Sequence, residues 1–160
     1  MNQNNIQDNT NIVKEPVCNC GVVGIYNSPE ASLLTFYALY ALQHRGHDEA
    51  GICTSEYIAN DNSYNFNSHK GFGLVLNVFS SPNILKSKLR GEAAVGHNRS
   101  FSKSTDTDSI ENVQPLKLNT YFGNLAMSYD GNFTNSKKLR KELQRKGISF
   151  QTNSDCEIFL

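Results

Sequence analysis

The chain has no excess of either charge, no long apolar run and no paired-cysteine motif, and each absence removes a class of function. Fifteen lysines and arginines balance fifteen aspartates and glutamates, so no global field directs the chain to nucleic acid or to an anionic membrane. No apolar stretch approaches the roughly 18 residues needed to cross a bilayer. Neither nucleic acid nor membrane is therefore an expected partner. Cysteine occurs four times, as Cys18, Cys20, Cys53 and Cys156, without the C-x-x-C spacing or second ligand pair of a zinc site. A disulfide between Cys18 and Cys20 would close a small strained ring. The opening MNQNNIQDNTNIVKEP has no apolar core of the kind a secretory signal carries. The expected compartment is thus reducing, with the cytoplasm as the default.

What is present is a chain of 160 residues, enough for one domain with a workable core. Residues 1–19, rich in asparagine, read as a tail that cannot bury enough surface to fold alone. From Cys20 onward the text is well punctuated. Residues 22–26 form a short apolar run bounded by Gly21 and Asn27, the pattern of a buried strand. Ser28-Pro29 offers a helix start with proline in the first turn. The helix it predicts carries Leu33, Leu34, Tyr37 and Leu42 and stops near Arg45-Gly46. Residues 51–54 and 65–70 read as strands separated by the polar turn 60–62, and Ser81-Pro82 repeats the helix-start signal ahead of Leu85 and Leu89. Residues 93–99 and 124–129 are further strand candidates, with a loop over 102–108 between them. Asn135 is placed to cap a helix ending at Gly147, with Leu139 and Leu143 as its apolar stripe. The basic residues of that helix, among them Lys138, Arg140 and Arg145, read as a solvated face, since Glu142 lies four residues from both Lys138 and Lys146.

Ser154-Asp155-Cys156-Glu157 has the form of a capping box. The helix it announces has about one and a half turns before Leu160, too few to be stable alone, so the text reads as stopping inside an element. Cys53 and Cys156 read as small buried hydrophobes. His44, His47, His69 and His97 show no ligand spacing. The pair Cys18-Asn19-Cys20, set against an apolar run, stays open at this level to packing, metal, disulfide or processing roles.

Seven strings then occur in one order: Cys20-Gly21-Val22-Val23-Gly24-Ile25; Gln43-His44-Arg45-Gly46; Lys70-Gly71-Phe72-Gly73; Gly96-His97-Asn98-Arg99; Asn112-Val113-Gln114-Pro115-Leu116; Asp130-Gly131-Asn132; and Ser154-Asp155. The ordered set resembles the glutaminase domain of the amidophosphoribosyltransferase family, over residues 20–160. The resemblance implies an α+β fold, the four-layer αββα sandwich of N-terminal-nucleophile hydrolases, present here in part. It also implies hydrolysis of glutamine through a cysteine thioester, with ammonia passed to phosphoribosyl pyrophosphate in the first step of de novo purine synthesis. Residues 1–19 become a propeptide, and Asn19-Cys20 the processing junction. The phosphoribosyltransferase domain, with its magnesium and in some members an iron–sulfur cluster, would lie outside these residues, so no cofactor is expected within them. A homo-oligomer is implied for the full-length enzyme.

The chemistry suits that design. A thiol needs a base to become a thiolate nucleophile. A free α-amine titrates near 7.7–8.0, whereas an amide nitrogen is not basic. Release of the Cys20 nitrogen would therefore supply nucleophile and base from one residue. By the resemblance, Arg99 binds the substrate α-carboxylate, a task suited to a guanidinium fork. Asp155 pairs with the α-ammonium, Ser102 aligns with a threonine near the carboxylate, and Arg45 and Gly46 lie beside the nucleophile.

Three features depart from the family pattern. Asp130 stands where the family has an asparagine that, with the Gly131 backbone N–H, donates to the oxyanion. An ionised carboxylate donates nothing, and one lost donor costs about 2.7–4 kcal/mol. Only a protonated Asp130, kept so by burial, would still donate. Tyr129 replaces a histidine, and Arg99-Ser100-Phe101-Ser102-Lys103 differs from the usual loop. A catalytically impaired remnant that at most binds glutamine is accordingly the alternative expectation.

Overall fold

The structure, a computed structural model, describes residues 20–100, 109–121 and 123–159. Cys18, Ser102 and the expectations for residues 1–19 fall outside them. Among the described residues there are two antiparallel sheets. The larger has the order β1-β4-β2-β3, from β1 (Cys20–Ile25), β2 (Glu49–Ile58), β3 (Ser63–Phe72) and β4 (Ala93–Arg99). The smaller is a hairpin of β5 (Leu116–Thr120) and β6 (Gly123–Met127).

One face of the larger sheet is covered by α1 (Ala31–Ala41) and by the single turn α2 (Val75–Val78). Strand side chains alternate between faces, so Ala50, Ile52 and Ala94 point to this side. They meet Ala31, Leu39, Val75, Val78, Phe79 and Leu89 in the core. Burying one such leucine stabilises the fold by about 1.5–3 kcal/mol.

The helix does not use the stripe predicted for it. Ala31, Ser32, Thr35 and Leu39 are buried, while Leu34 and Tyr37 are exposed. Gly96 lies directly under α1, where an added Cβ would crowd Leu39 at 3.0 Å. An approach that close selects small residues for the contact face. Ser28 sits three residues upstream of α1, its Oγ accepting from the Glu30 N–H at 3.3 Å. The predicted proline-led start therefore becomes a turn before the helix.

The second face carries the hairpin and the string that leads into it. Lys70 donates to the Val113 carbonyl at 2.6 Å, Lys117 to that of Phe66 at 3.3 Å and Asn124 to that of Tyr64 at 3.2 Å. Strands β2 and β3 each run ten residues, longer than their apolar segments predict, because cross-strand hydrogen bonding continues through polar positions. β4 has the predicted bounds. The Ser81-Pro82 signal gives only a wide turn over Ile84–Lys88. Past the hairpin, α3 (Ser136–Arg145) and α4 (Cys156–Phe159) pack against each other. α3 buries no residue fully, as its thin leucine stripe predicts.

Candidate active site

Cys20 is the first residue of β1 and is 3% exposed. Its Cα lies opposite Arg99 on β4, and Arg99 lies opposite Glu49 on β2. Laterally paired residues share a face. Cys20, Arg99 and Glu49 therefore form one row on the face that looks toward the second sheet. The alternate row, Gly21, Asn98 and Ala50, fastens the other side: the Asn98 amide donates to the carbonyls of Leu39 and Leu42 at the end of α1.

A 3₁₀ turn over Gln43–Arg45 brings Arg45 to Cys20. Arg45 Nε donates to the Cys20 carbonyl at 2.6 Å, and Nη2 lies 3.9 Å from Asp130 Oδ2. Gly46 follows, pressed onto the end of β4. A Cβ there would run into the Arg99 backbone nitrogen and come within 2.6 Å of the Asn98 carbonyl carbon, so the position requires glycine. Gln43 holds the turn, accepting from the Val75 N–H at 2.8 Å and donating to the Gly46 carbonyl.

The segment bearing Asp130 and Gly131 is positioned by Gln114. This side chain donates to the Tyr129 carbonyl at 3.1 Å and accepts from the Tyr129 N–H at 2.6 Å. Asp155 Oδ2 accepts from the Phe133 N–H at 2.9 Å, joining the candidate ammonium partner to the same segment. Rings of Tyr129, Phe133 and Phe159 stack behind it at centroid distances of 4.8–6.1 Å. Asn112 accepts from the Asn153 N–H at 3.0 Å and so steadies the approach to Ser154-Asp155. Each half of the Asn112–Leu116 string thus anchors a different loop. The string identifies those residues; their partners lie beyond what spacing can show.

Asp130 is exposed, with its carboxylate toward Arg45. The capping box is also realised differently: Ser154 Oγ accepts from Cys156, while Glu157 accepts from the N–H groups of Gln151 and Thr152 at 2.7 Å. Arg140 is not a loose surface charge. It donates to the Thr152 and Ser154 carbonyls and lies 4.5 Å from the Phe150 ring centre.

The electrostatics single out residues that spacing missed. Burial pushes Glu49 up to about 7, opposed by Arg99, whose Nε is 3.2 Å from Glu49 Oε1. Burial, reinforced by the Arg99 charge, holds His97 down at about 3, so it is neutral near pH 7. Burial raises Cys53 to about 11 and Cys156 to about 12, which makes both inert thiols. Among the described residues no group of three or more His, Cys, Asp or Glu is placed to hold a metal ion. An apolar cleft between the sheets, lined by Ile25, Cys53, Phe66, Val95 and Leu125 among others, lies apart from the Cys20 row.

Comparison with known proteins agrees with this geometry. Residues 97–160 match the family described as "Glutamine amidotransferase domain". The chain is 43% identical over 141 residues to amidophosphoribosyltransferase 3, chloroplastic, of Arabidopsis thaliana, covering 88% of this chain and 25% of that protein. It is 39% identical to the amidophosphoribosyltransferase of Bacillus subtilis, covering 87% and 27%. A solved structure described as the allosteric regulatory enzyme of purine biosynthesis superposes with a TM-score of 0.74 at 37% identity, over 86% of this chain and 28% of that one. The B. subtilis glutamine phosphoribosylpyrophosphate amidotransferase complexed with ADP and GMP gives 0.72 at 38% identity, over 86% and 27%. The chain spans about a quarter of the length of the curated relatives it matches. The fold is the α+β fold of the N-terminal-nucleophile hydrolases. By sequence and by fold, the chain is similar to the amidophosphoribosyltransferases over about a quarter of their length, with residues 97–160 matching a glutamine amidotransferase domain.

Proposed function

We propose that residues 20–160 are the glutaminase part of an amidophosphoribosyltransferase, with Cys20 as nucleophile and residues 1–19 as a removable leader. The observation that carries this is the meeting of Arg99 and Arg45 with Cys20 at the head of β1, with Asp130 held against Arg45 and Asp155 tied to the segment that follows Asp130. Cleavage after Asn19 frees the Cys20 amine, which takes the thiol proton. The thiolate attacks the side-chain amide carbon of glutamine, and the oxygen takes up negative charge near the Gly131 N–H. Collapse returns the proton to the leaving nitrogen, releases ammonia and leaves a thioester, which water hydrolyses to glutamate.

Arg99 receives the α-carboxylate and Asp155 the α-ammonium; Ser102 would join them at the carboxylate. Ammonia then passes to phosphoribosyl pyrophosphate, bound by a phosphoribosyltransferase domain with its own magnesium, in a full-length homo-oligomer. A cytoplasmic or plastid compartment fits the relatives, some of which are chloroplastic. Among the described residues no helix is long and apolar enough to cross a membrane. Asp130 lowers the rate within this reading, because it removes a donor where charge develops.

Intact mass with N-terminal sequencing of the purified chain tests the first step. A start at Cys20, followed by labelling of that thiol with an electrophilic glutamine analogue, is the expected result. A Cys20 that stays unlabelled after its amine has been freed would overturn the assignment.

A further inference from the structure

Glu49 is fully buried at the head of β2. Its Oε1 lies 3.2 Å from Arg99 Nε and 4.0 Å from His97 Nδ1. Among the described residues neither carboxylate oxygen accepts a well-aligned hydrogen bond. A buried anion in that state is held chiefly by the neighbouring cation. Arg99 is thus met from inside the protein by the same chemical group, a carboxylate, that an amino-acid ligand would present to it. In the row Cys20, Arg99, Glu49 the backbone of Arg99 lies between those of the candidate nucleophile and the internal carboxylate.

We propose that Glu49 is a positioning residue that competes for Arg99 with the α-carboxylate of the bound amino acid, so that ligand binding is accompanied by protonation of Glu49. The inference rests on the reading of Arg99 as the carboxylate receptor. Two carboxylates sharing one guanidinium in a dry site repel each other, and a proton on the internal one removes the repulsion. The other charged groups near Glu49 are Asp48 beside it, Lys70 on β3, and Arg99 and His97 on β4. His97, held near 3, does not take the proton in its place. Burial has already raised Glu49 to about 7, so protonation is nearly balanced at neutral pH.

The sign follows. Below pH 7 Glu49 is neutral and no longer offsets the Arg99 charge that meets the ligand. Above pH 7 the ligand must draw in a proton, and affinity falls. With a free-state midpoint near 7, affinity should drop about 10-fold between pH 6 and pH 8, with uptake of about half a proton per ligand at pH 7. The variant Glu49→Gln is permanently neutral and should bind independently of pH, about 10-fold tighter than the original chain at pH 8.

The test is calorimetric titration of L-glutamine into the full chain and into Glu49→Gln, at pH 6, 7 and 8, in buffers of differing ionisation enthalpy. Proton uptake by the original chain and its loss in Glu49→Gln are the expected results. A space-filling role for Glu49 would leave the two chains with the same pH profile and no difference in proton uptake, which overturns the inference while the glutaminase reading stands. Binding by Glu49→Gln alone supports both. Binding by neither removes the carboxylate-receptor reading and this inference with it. If Glu49→Gln fails to fold, a carboxyl-carbon NMR titration of the original chain decides: the Glu49 midpoint must rise when glutamine is added, and an unmoved midpoint refutes the competition.

Discussion

Replacing Asp130 with asparagine separates catalysis from stability, because the structure gives the two effects very different sizes. The Asp130 carboxylate faces Arg45 at 3.9 Å, with both side chains substantially exposed. Solvent screening limits such a pair to about 0–1 kcal/mol. Asp130→Asn should therefore shift the unfolding free energy by about 1 kcal/mol at most. The catalytic term is larger. An amide at this position supplies a donor beside the Gly131 N–H, and one oxyanion donor is worth about 2.7–4 kcal/mol, or about 10²–10³ in rate. The assay is ammonia release from glutamine, coupled to glutamate dehydrogenase, in a chain whose first residue is Cys20. An increase of about 10²-fold or more in kcat with KM little changed is the expected outcome, since the donor acts on the transition state. An unchanged kcat, in a variant that still melts cooperatively and still labels at Cys20, would refute the argument that Asp130 limits the oxyanion hole.

Three further outcomes follow from the same geometry. Gly46→Ala should destabilise the chain by about 1–3 kcal/mol, an overpacking cost read from urea unfolding, because its Cβ meets the β4 backbone, which has little room to yield. Gln114→Ala removes both hydrogen bonds to the Tyr129 backbone; a loss of about 1–3 kcal/mol in stability is expected, together with slower turnover as the Asp130-Gly131 segment loosens. The folded state raises Glu49 from 4.5 to about 7, so it binds more protons than the unfolded chain between those values. Stability from this group is present below about 4.5 and is lost as pH rises toward 7. Glu49→Gln should accordingly stabilise the chain at pH 8, by up to about 3 kcal/mol, and much less near pH 4.5, as thermal melts at the two pH values will show. His97 has the opposite sign: lowered from 6.5 to about 3, it costs stability as pH falls through that interval.

Several features were legible before any coordinates. The bounds of β4, the polar turn between β2 and β3, and the exposed character of α3 follow from alternation, turn chemistry and a thin apolar stripe, all local properties. The ordered strings likewise singled out Cys20, Arg99, Asp130 and Asp155 as candidates, because chemistry at a site restricts which residues stand there. The contact face of α1 was not legible. Its apolar spacing admits two faces, and the close approach of Gly96, on a strand far along the chain, to Thr35 and Leu39 selects the small-residue one. Nor was the capping box, whose glutamate turns to Gln151 and Thr152 once the preceding loop folds back.

The sequence by itself determined how the strands and helices are divided along the chain, and which side chains are candidates for its chemistry. Only the tertiary structure decided what those side chains meet. Gln114 fastens the Tyr129 backbone from 15 residues away, Arg45 spans from the Cys20 carbonyl to Asp130, and Glu49 sits dry against Arg99. The reason is physical: hydrogen bonding, charge pairing and desolvation depend on distances through space. Strand register sets those distances between residues far apart in the chain, so no local spacing in the sequence encodes them.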